Sequence, residues 1–300
     1  MTDSTLPELS LDNWQDSKNT LHLYMQIIGK IRMSLVPKTN HWWHVPLYVS
    51  CRGLTTRPMP HADRLIDINL DFIDHILIVS SSDGQTVRFP LINLSVSGFY
   101  QNLMQALADL DVTVQIKATP YDVPFSNIPF AKDDVHASYE PEWIEKYFQL
   151  LVFVHSAFEI FRGRFTGKST PVHLFWHHAD LAVTRFSGKS APPLAQGTAA
   201  DKEAYSHEVI SFGFWVGDDT TREPAFYAYS YPEPDDPGSA SLSPAAATWR
   251  NDYGYTMAFL PYEAIRTRQQ PRETLLMFLE SAYQNMAQRG GWDVQALSLN

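Results

Sequence analysis

The stretch Phe175-Trp176-His177-His178-Ala179-Asp180-Leu181-Ala182-Val183-Thr184-Arg185 decides how the rest of the chain is interpreted, because a second stretch matches it. That second stretch is residues 42–52, which align with it without a gap at a shift of 133 positions. The identical pairs are Trp43 with Trp176, His44 with His177, and Arg52 with Arg185. Three identities in eleven positions can arise by chance, so the flanking sequence has to support the match.

The flanks of the two stretches repeat one order of elements. Each stretch is preceded by an amphipathic helical pattern that begins near a tryptophan, Trp14 or Trp143, and is followed by three further strand-like runs. Each half then closes with a helical pattern, Ser95–Leu110 or Pro271–Gln288. A shared order of six elements is harder to obtain by accident than any single identity, so an internal duplication is indicated.

We therefore predict an α+β fold, a tandem duplication of an α-β-β-β-β-α unit with antiparallel sheets and helices on one side. The order is similar to the duplicated saddle of TATA-box-binding proteins, an analogy of topology that implies nothing about DNA. Residues 119–140 are proline-rich and irregular, which is typical of a connector. The first repeat is accordingly assigned to residues 1–118 and the second to residues 141–300.

The segment Ile66–Phe72 has the clearest strand pattern, with apolar residues alternating with Asp67, Asn69 and Asp71. The three polar side chains should share one face and could be taken for a row of metal ligands. A solvated sheet face is favoured instead, because antiparallel sheets commonly expose one side.

Other patterns predict a helix over Trp14–Leu35 and strands over His44–Leu54 and Val112–Ala118. The second repeat differs from the first by two insertions rich in small residues and proline, Ala191–Ala204 and Tyr231–Ala247. Long loops at the rim of a fold often carry function, although tolerated surface insertions would look the same.

The composition excludes several classes of protein. The 300 residues are 44% hydrophobic and 19% charged, with a net charge of −10, so an acidic surface should repel nucleic acid and anionic membranes. A single cysteine, Cys51, rules out an intramolecular disulfide framework and a cysteine-based zinc site. Residues 1–4 lack the features of a secretory signal, and Leu150–Phe158 is too short to span a bilayer, so we expect a cytoplasmic protein.

Histidines and carboxylates in the second repeat suggest a catalytic or metal-binding cluster. The candidates are His173, His177, Asp180, His207 and Glu208. Imidazole and carboxylate ligands suit Zn, Fe, Mn or Ni, so a divalent metal is the candidate cofactor. Residues four apart on one strand are about 13 Å apart, so an ion would need histidines from different strands, for which we predict His173 and His207. Alternatively, these histidines are hydrogen-bonded core or rim residues.

Aromatic side chains indicate a second kind of site. Tyr227, Tyr229 and Tyr231 alternate along one segment, which places their phenols on one strand face. Together with Tyr48 and Trp176 they are expected to line a pocket. The faces of these rings are apolar, and their tips carry polar groups. Ordinary core packing would produce the same pattern.

The matched histidines and arginines are predicted to bind the ligand. His44 and Arg52 are eight positions apart, as are His177 and Arg185, so each pair would share one face of its strand. An arginine is a natural clamp for a carboxylate or phosphate, which suggests an anionic ligand. Pairing with a carboxylate of the protein itself is the alternative.

The chain also resembles a family of bacterial proteins known only as a domain of unknown function, and the resemblance covers nearly its whole length. The matching segments are Asn40–Tyr48, Pro171–Trp176, Asp180–Gly188, Ala204–Ile210 and Phe226–Tyr229. The resemblance implies no activity. This chain departs from the family's pattern at His177 and His178, which gives more weight to His44, His173, Arg185 and His207.

The function predicted from these features is small-molecule binding in a pocket between the two repeats. In an enzymatic version, His173 or His207 acts as base or metal ligand, Asp180 or Glu208 supports it, and Arg185 holds an anionic substrate. The alternative is a non-catalytic ligand sensor or partner-binding scaffold. Motifs of common hydrolases, kinases and dehydrogenases are missing from the sequence, and no feature assigns an oligomeric state.

Overall fold

Two antiparallel sheets and six α-helices make up the fold in the computed structural model, which describes residues 6–252 and 254–299. The helices are α1 (Leu11–Leu35), α2 (Val96–Asp109), α3 (Pro141–Gly163), α4 (Ala199–Ala204), α5 (Glu263–Arg266) and α6 (Pro271–Arg289). The strands are β1 (Tyr48–Val49), β2 (Gly53–Thr55), β3 (Met59–His61), β4 (Arg64–Asp71), β5 (Ile76–Ser81), β6 (Thr86–Pro90), β7 (His173–Phe175), β8 (Asp180–Ser190), β9 (His207–Trp215), β10 (Ala225–Tyr231), β11 (Thr248–Arg250) and β12 (Met257–Pro261). Residues 1–4, on which the secretory-signal prediction rests, lie outside the described residues.

Each half of the chain forms one sheet. The first sheet has the order β1-β2-β4-β5-β6, with β3 also paired to β4, and the second has the order β7-β8-β9-β10-β12-β11. The α+β class and the antiparallel sheets are confirmed, and two similar sheet units are consistent with a duplicated arrangement. The division of the chain at residues 119–140 stays a prediction.

Among the described residues, the two sheets meet through one backbone bridge. Leu47 donates its N–H to the carbonyl of Leu174 at 2.9 Å, and Leu174 donates to the carbonyl of Leu47 at 2.8 Å. The bridge places β1, the edge of the first sheet, beside β7, the edge of the second. A side chain on either edge strand therefore lies close to both halves.

The two sheets also share their internal construction. Each begins with a short strand, turns back through a hairpin, and continues into a longer strand whose pairing is irregular. In the first sheet β2 and β3 pair with the same strand on either side of a break at Thr56–Pro58. In the second sheet the register of β8 shifts between Phe186 and Ser190. Each half thus begins and closes with a helix around an antiparallel sheet, as the flanks predicted, but each sheet has six strands rather than the predicted four.

The residue-by-residue match that suggested the duplication is wrong. His44 precedes β1 and Arg52 lies in the β1–β2 turn, whereas His177 lies in the β7–β8 turn and Arg185 lies within β8. The predicted strand over His44–Leu54 is in fact a hairpin. Its second strand begins at Gly53, where a Cβ would overlap the carbonyl of Leu70, so only glycine permits this close approach.

The strand predicted over Val112–Ala118 is also wrong, because this segment has no strand partner. Val112 and Val114 are nevertheless buried and belong to the core. The alternation in the sequence therefore records an extended segment packed on the core rather than a strand of a sheet.

Helix α1 occupies the centre of the molecule and is buried without interruption from Asn19 to Arg32. Its polar residues are accommodated by specific partners: Gln26 bonds to the backbone N–H and carbonyl of Tyr121, both at 2.8 Å. His22 donates from Nε2 toward the carbonyls of Trp176 and His177, at 2.9 and 3.0 Å. α1 thereby holds the β7–β8 turn in place.

Within the described part of the chain, no helix is long and apolar enough to cross a membrane.

One face of each sheet packs on helices. In the first sheet, Phe89 contacts Phe99 of α2, with ring centres 5.8 Å apart. In the second sheet, Phe212 contacts Phe161 of α3, with ring centres 4.7 Å apart. The opposite faces are called the open faces here, and they differ between the two sheets. On the first open face Asp67 and Asn69 are half-buried, but Asp71 is only 2% exposed. The predicted solvated face is therefore wrong for Asp71, whose carboxylate pairs with Arg52.

Candidate functional site

Five residues, one from each of five strands, form a row across the second open face. The row consists of His173, Ala182, Gly213, Tyr227 and Phe259, which lie opposite one another in register. Directly opposed residues share a sheet face. A Cβ at Gly213 would overlap the phenol ring of Tyr227, so this ring lies flat across β9. The missing side chain at Gly213 is what makes room for it.

Tyr227 reaches across the sheet to a carboxylate. Its hydroxyl donates to Oδ2 of Asp180 at 2.5 Å, and Asp180 is only 8% exposed. No lysine, arginine or histidine nitrogen lies at ion-pair distance from Asp180 within residues 6–252 and 254–299. Burial, with the nearby Asp180, raises the pKa of Tyr227 well above its ordinary value, so the phenol remains a donor.

Aromatic rings surround this pair. Tyr229 stacks beside Tyr227 with ring centres 6.1 Å apart, and Trp215 lies 5.3 Å from Tyr227 on the adjacent strand. Tyr205 and Tyr229 share a hydrogen bond of 2.8 Å between their hydroxyls. The four rings are half-buried and therefore remain accessible. We call the set Asp180, Tyr205, Trp215, Tyr227 and Tyr229 the tyrosine cup.

The first insertion of the second repeat and the β11–β12 turn border the cup. Tyr205 directly follows the short helix α4 of the first insertion. The hydroxyl of Tyr231 donates to the carbonyl of Pro192 at 2.6 Å and ties that insertion to the sheet. Tyr255, in the β11–β12 turn, places its ring 5.2 Å from Tyr229. The first insertion and this turn thus line a half-buried aromatic surface.

The cup carries a negative group without a matching positive one. His177 interacts electrostatically with Asp180, but burial, with His178 as a further cause, lowers the pKa of His177 to about 4. It is therefore neutral near pH 7. Thr184 and Ser211, which share a 2.8 Å hydrogen bond, add only neutral polar groups to the same face. The chemistry of the cup is that of a carboxylate surrounded by aromatic faces.

The predicted catalytic residues do not form one site. His173 lies opposite Ala182, which pairs with Gly213, and Gly213 is six residues along β9 from His207, or roughly 20 Å. His173 and His207 therefore cannot bind the same metal ion, and the predicted pair is wrong. Among the described residues there is no group of three or more histidine, cysteine, aspartate or glutamate side chains placed to hold a metal.

His207 and Glu208 lie in local contacts at the far end of the sheet. Nδ1 of His207 is 3.1 Å from the Ser206 hydroxyl, and its ring is 5.2 Å from that of His41. Glu208 accepts a hydrogen bond of 2.6 Å from the Ser187 hydroxyl. Of the four predicted catalytic residues, only Asp180 belongs to the cup.

The two predicted arginine clamps do not face the cup. Arg185 is 1% exposed, lies on the helix side of β8, and places its guanidinium carbon 3.5 Å from the ring centre of Phe161. It donates to the carbonyl of Phe161 at 2.5 Å and lies 3.8 Å from Glu280. Arg52 is exposed and pairs with Asp71 and Asp74. Both arginines follow the predicted alternative of pairing within the protein.

Three further predicted ligand-binding residues have packing roles. Trp176 donates from its indole to the carbonyl of Val45 at 3.0 Å and packs against α1, where a Cβ at Gly29 would overlap its ring. His44 is buried and accepts the backbone N–H of Thr39 at 3.2 Å. Tyr48 is buried at the junction of the sheets, beside His173.

The sequence identified Tyr227, Tyr229 and Asp180 but not their relation to one another. Tyr205 and Gly213 were missed. A lone tyrosine in an insertion and a lone glycine in a strand carry no local signal of a site, because their importance depends on the register of β8, β9 and β10.

Comparison with known proteins identifies a family but no activity. The model of a family of unknown function, DUF5996, matches residues 6–299. No curated protein and no solved structure matches the chain significantly. The chemistry of the site therefore has to be inferred from its own residues.

Proposed function

The chain belongs to the DUF5996 family of unknown function, and we propose that it binds a small cationic organic molecule, an ammonium ligand, in the tyrosine cup. The observation that supports this proposal is the buried carboxylate of Asp180, which lies among aromatic rings and has no cationic partner in the described part of the chain. The proposal keeps the predicted small-molecule ligand but changes its charge from negative to positive.

Aromatic faces and a carboxylate recognise the same chemical group. Ring quadrupoles attract an ammonium ion by roughly 0.5–2 kcal/mol each, with the larger values where water is excluded. The rings of Tyr227 and Tyr229 are nearly parallel, at 16°, and Trp215 lies beside them. An alkyl body could rest on these rings while the ammonium group approaches Asp180.

A carboxylate buried without a counter-charge is unfavourable in the free protein, and a ligand cation would remove that cost. Within the part of the chain that the structure describes, the Asp180 carboxylate accepts one hydrogen bond, from Tyr227, so oxygen lone pairs remain for a ligand N–H. The proposed ligand therefore completes a site that is partly organised already.

An acid–base enzyme is the second candidate. The 2.5 Å hydrogen bond between Tyr227 and Asp180 would let Asp180 accept a proton while Tyr227 orients it. Recovery of an unchanged ligand after prolonged incubation would favour a sensor or carrier, whereas conversion of the ligand would favour the enzyme. A cytoplasmic location in a bacterium is part of the proposal and rests on the acidic composition and the single cysteine.

The proposal is tested by isothermal titration calorimetry with four probes of similar size: butylammonium, tetramethylammonium, 1-butanol and butyrate. We expect the two ammonium ions to bind more tightly than the alcohol, and butyrate to bind least. Preference for butyrate, or equal binding of the alcohol and the ammonium ions, would contradict the proposal.

The matched variants are Asp180→Asn and Asp67→Asn. Asparagine keeps an acceptor for the Tyr227 hydroxyl but removes the charge, so Asp180→Asn should weaken ammonium binding about tenfold, the equivalent of one charged contact. Asp67 lies on the open face of the first sheet, where its carboxylate accepts from Thr55 at 2.9 Å. Asp67→Asn should leave the affinity unchanged.

A further inference from the structure

Tyr48, at the junction of the two sheets, has three basic side chains around it. The guanidinium carbon of Arg57 lies 3.5 Å from the centre of the Tyr48 ring, and that of Arg32 lies 5.4 Å from it. The imidazole of His173 lies 6.4 Å away, between ring centres. We call these four residues the junction cluster. It is separate from the tyrosine cup and draws on both halves of the chain.

Several polar atoms of the junction cluster have no partner within the described residues. His173 is fully buried, and neither of its ring nitrogens is hydrogen-bonded. Arg32 is 6% exposed; one Nη donates to the carbonyl of Thr56, but its Nε has no partner. Buried polar groups are nearly always satisfied, so a cluster of orphaned donors points to a bound group.

The junction cluster also has no direct ion pair, and Asp67 attracts Arg32 only beyond ion-pair distance. Within residues 6–252 and 254–299, no carboxylate lies at ion-pair distance from Arg32 or Arg57. This is notable in a chain with 33 acidic and 23 basic side chains. Burial, with Arg57 and Arg32 as further causes, lowers the pKa of His173 to about 3, so the imidazole is neutral near pH 7. It can still donate one N–H.

We propose that the junction cluster binds a small oxyanion, a carboxylate or a phosphate. The two guanidinium groups supply charged donors of the geometry that oxyanions prefer, and the Tyr48 hydroxyl and the His173 N–H supply neutral ones. Arg57 is exposed and His173 is fully buried, so the cluster extends from the surface into the interior.

The bound oxyanion would link the two halves of the molecule. Tyr48 and Arg57 belong to the first sheet region and His173 to the second, while the direct backbone link between the sheets is the bridge of Leu47 with Leu174. A ligand that binds only the folded chain stabilises it in proportion to its occupancy. Anion binding should therefore raise the stability of the whole chain, independently of any ligand in the cup.

The test is nuclear magnetic resonance of the histidine ring nitrogens in the uniformly ¹⁵N-labelled protein, titrated with inorganic phosphate or with acetate. Sodium chloride at matched ionic strength is the reference. We expect a saturable change in the His173 ring signals with at least one of the two oxyanions, and the stronger binder identifies phosphate or carboxylate chemistry. Equal changes with chloride, or none with either oxyanion, would overturn the proposal.

The matched variants are Arg57→Gln and Arg88→Gln, both at exposed arginines of the first half. Arg57→Gln should weaken oxyanion binding about tenfold, as expected for one charge-assisted hydrogen bond, and Arg88→Gln should not change it. Because both side chains are exposed, neither variant should prevent folding. An unchanged affinity in Arg57→Gln would contradict the site even if an oxyanion binds elsewhere.

Discussion

The open faces of the two sheets differ although the sheets are built alike. The first open face carries polar residues such as Asp67 and Asn69, and Asp67 is already hydrogen-bonded to Thr55. The second open face carries stacked tyrosines around Asp180 and is bordered by the first insertion. The same scaffold thus presents a hydrogen-bonded polar surface in one half and an aromatic one in the other.

The difference shows how a duplicated fold can acquire a site in one copy only. Residues that pack on the helices are mostly apolar in both sheets, because both must bury one face, and Arg185 is the charged exception on the second. The open faces are free of that requirement, and among the described residues it is the second that has a glycine beneath a tyrosine and an insertion tied to its edge. A site of this kind needs no change in the order of strands.

Acidification should have the largest effect on stability, and it should destabilise the second sheet before the first. Burial lowers the pKa of His22 and of His173 to about 3. Their stabilising effect is complete above the unfolded value near 6.5 and is lost as the pH falls toward 3, because only the unfolded chain takes up these protons. Between pH 7 and pH 5 each histidine should lower the free energy of unfolding by about 2 kcal/mol.

Urea denaturation at the two pH values measures this loss, and hydrogen exchange locates it. Because His22 holds the β7–β8 turn, amides of β7 and β8 should lose protection before those of β4 and β5. His22→Gln should make stability less dependent on pH. Equal stability at pH 7 and pH 5 would contradict the prediction.

The next largest effect should come from replacing arginines, and the loss of stability should be larger at Arg185 in the second half than at Arg52 in the first. Arg185→Ala removes a buried side chain whose guanidinium lies over Phe161 and Tyr283, so we expect the free energy of unfolding to fall by about 3 kcal/mol. Arg52→Ala, at an exposed ion pair, should have a smaller effect. Arg185→Met keeps most of the packing and should recover part of the loss.

Calorimetric titration of the same variants with butylammonium provides the second measurement. Since Arg185 lies on the helix side of β8, Arg185→Met should leave the ammonium affinity unchanged. A large loss of affinity in a folded Arg185→Met protein would restore the predicted role of this arginine as a ligand clamp.

A side chain placed beneath Tyr227 should disturb only the second open face. Gly213→Val would displace the ring that lies over this position, lowering the free energy of unfolding by about 2 kcal/mol and abolishing ammonium binding. Asn69→Val, at a half-buried position on the first open face, should change neither strongly. Chemical denaturation and calorimetry of the two variants test this; tight ligand binding by Gly213→Val would show that the cup is not the site.

The smallest effect concerns the link between an insertion and the sheet. Tyr205→Phe removes the 2.8 Å hydrogen bond to Tyr229 and should lower the free energy of unfolding by about 1 kcal/mol. Hydrogen exchange should show faster opening of residues 191–206. Thr86→Val, at an exposed position on the first sheet, should stay within about 0.5 kcal/mol of the parent protein.

Much of the architecture could be predicted from local patterns. The helices over Leu11–Leu35, Val96–Asp109, Pro141–Gly163 and Pro271–Arg289 lie close to where periodicity placed them. Ser95 caps α2 by accepting from the N–H of Gly98 at 3.2 Å, and Pro141 opens α3, which are both common helix-start residues. These features depend on neighbours along the chain, which a sequence displays directly.

The candidate site could be predicted only in part. The alternation of Tyr227 and Tyr229 placed them correctly on one face, since strand periodicity is a local property. The match of Arg52 with Arg185 led to a wrong prediction of their role. Two residues of the same type need not lie on the same face of a sheet.

The sequence by itself determined the class of fold, the order of the elements and the residues that must be buried, because periodicity and turn chemistry act over a few residues. Tertiary structure alone decided that Tyr227 lies over Gly213 and reaches Asp180, that Arg185 is enclosed by aromatic rings, and that His173 meets Tyr48. Each of these contacts depends on strand register and on the junction of the two sheets. Register is set by the fit of whole strands against one another, which no short stretch of the chain contains.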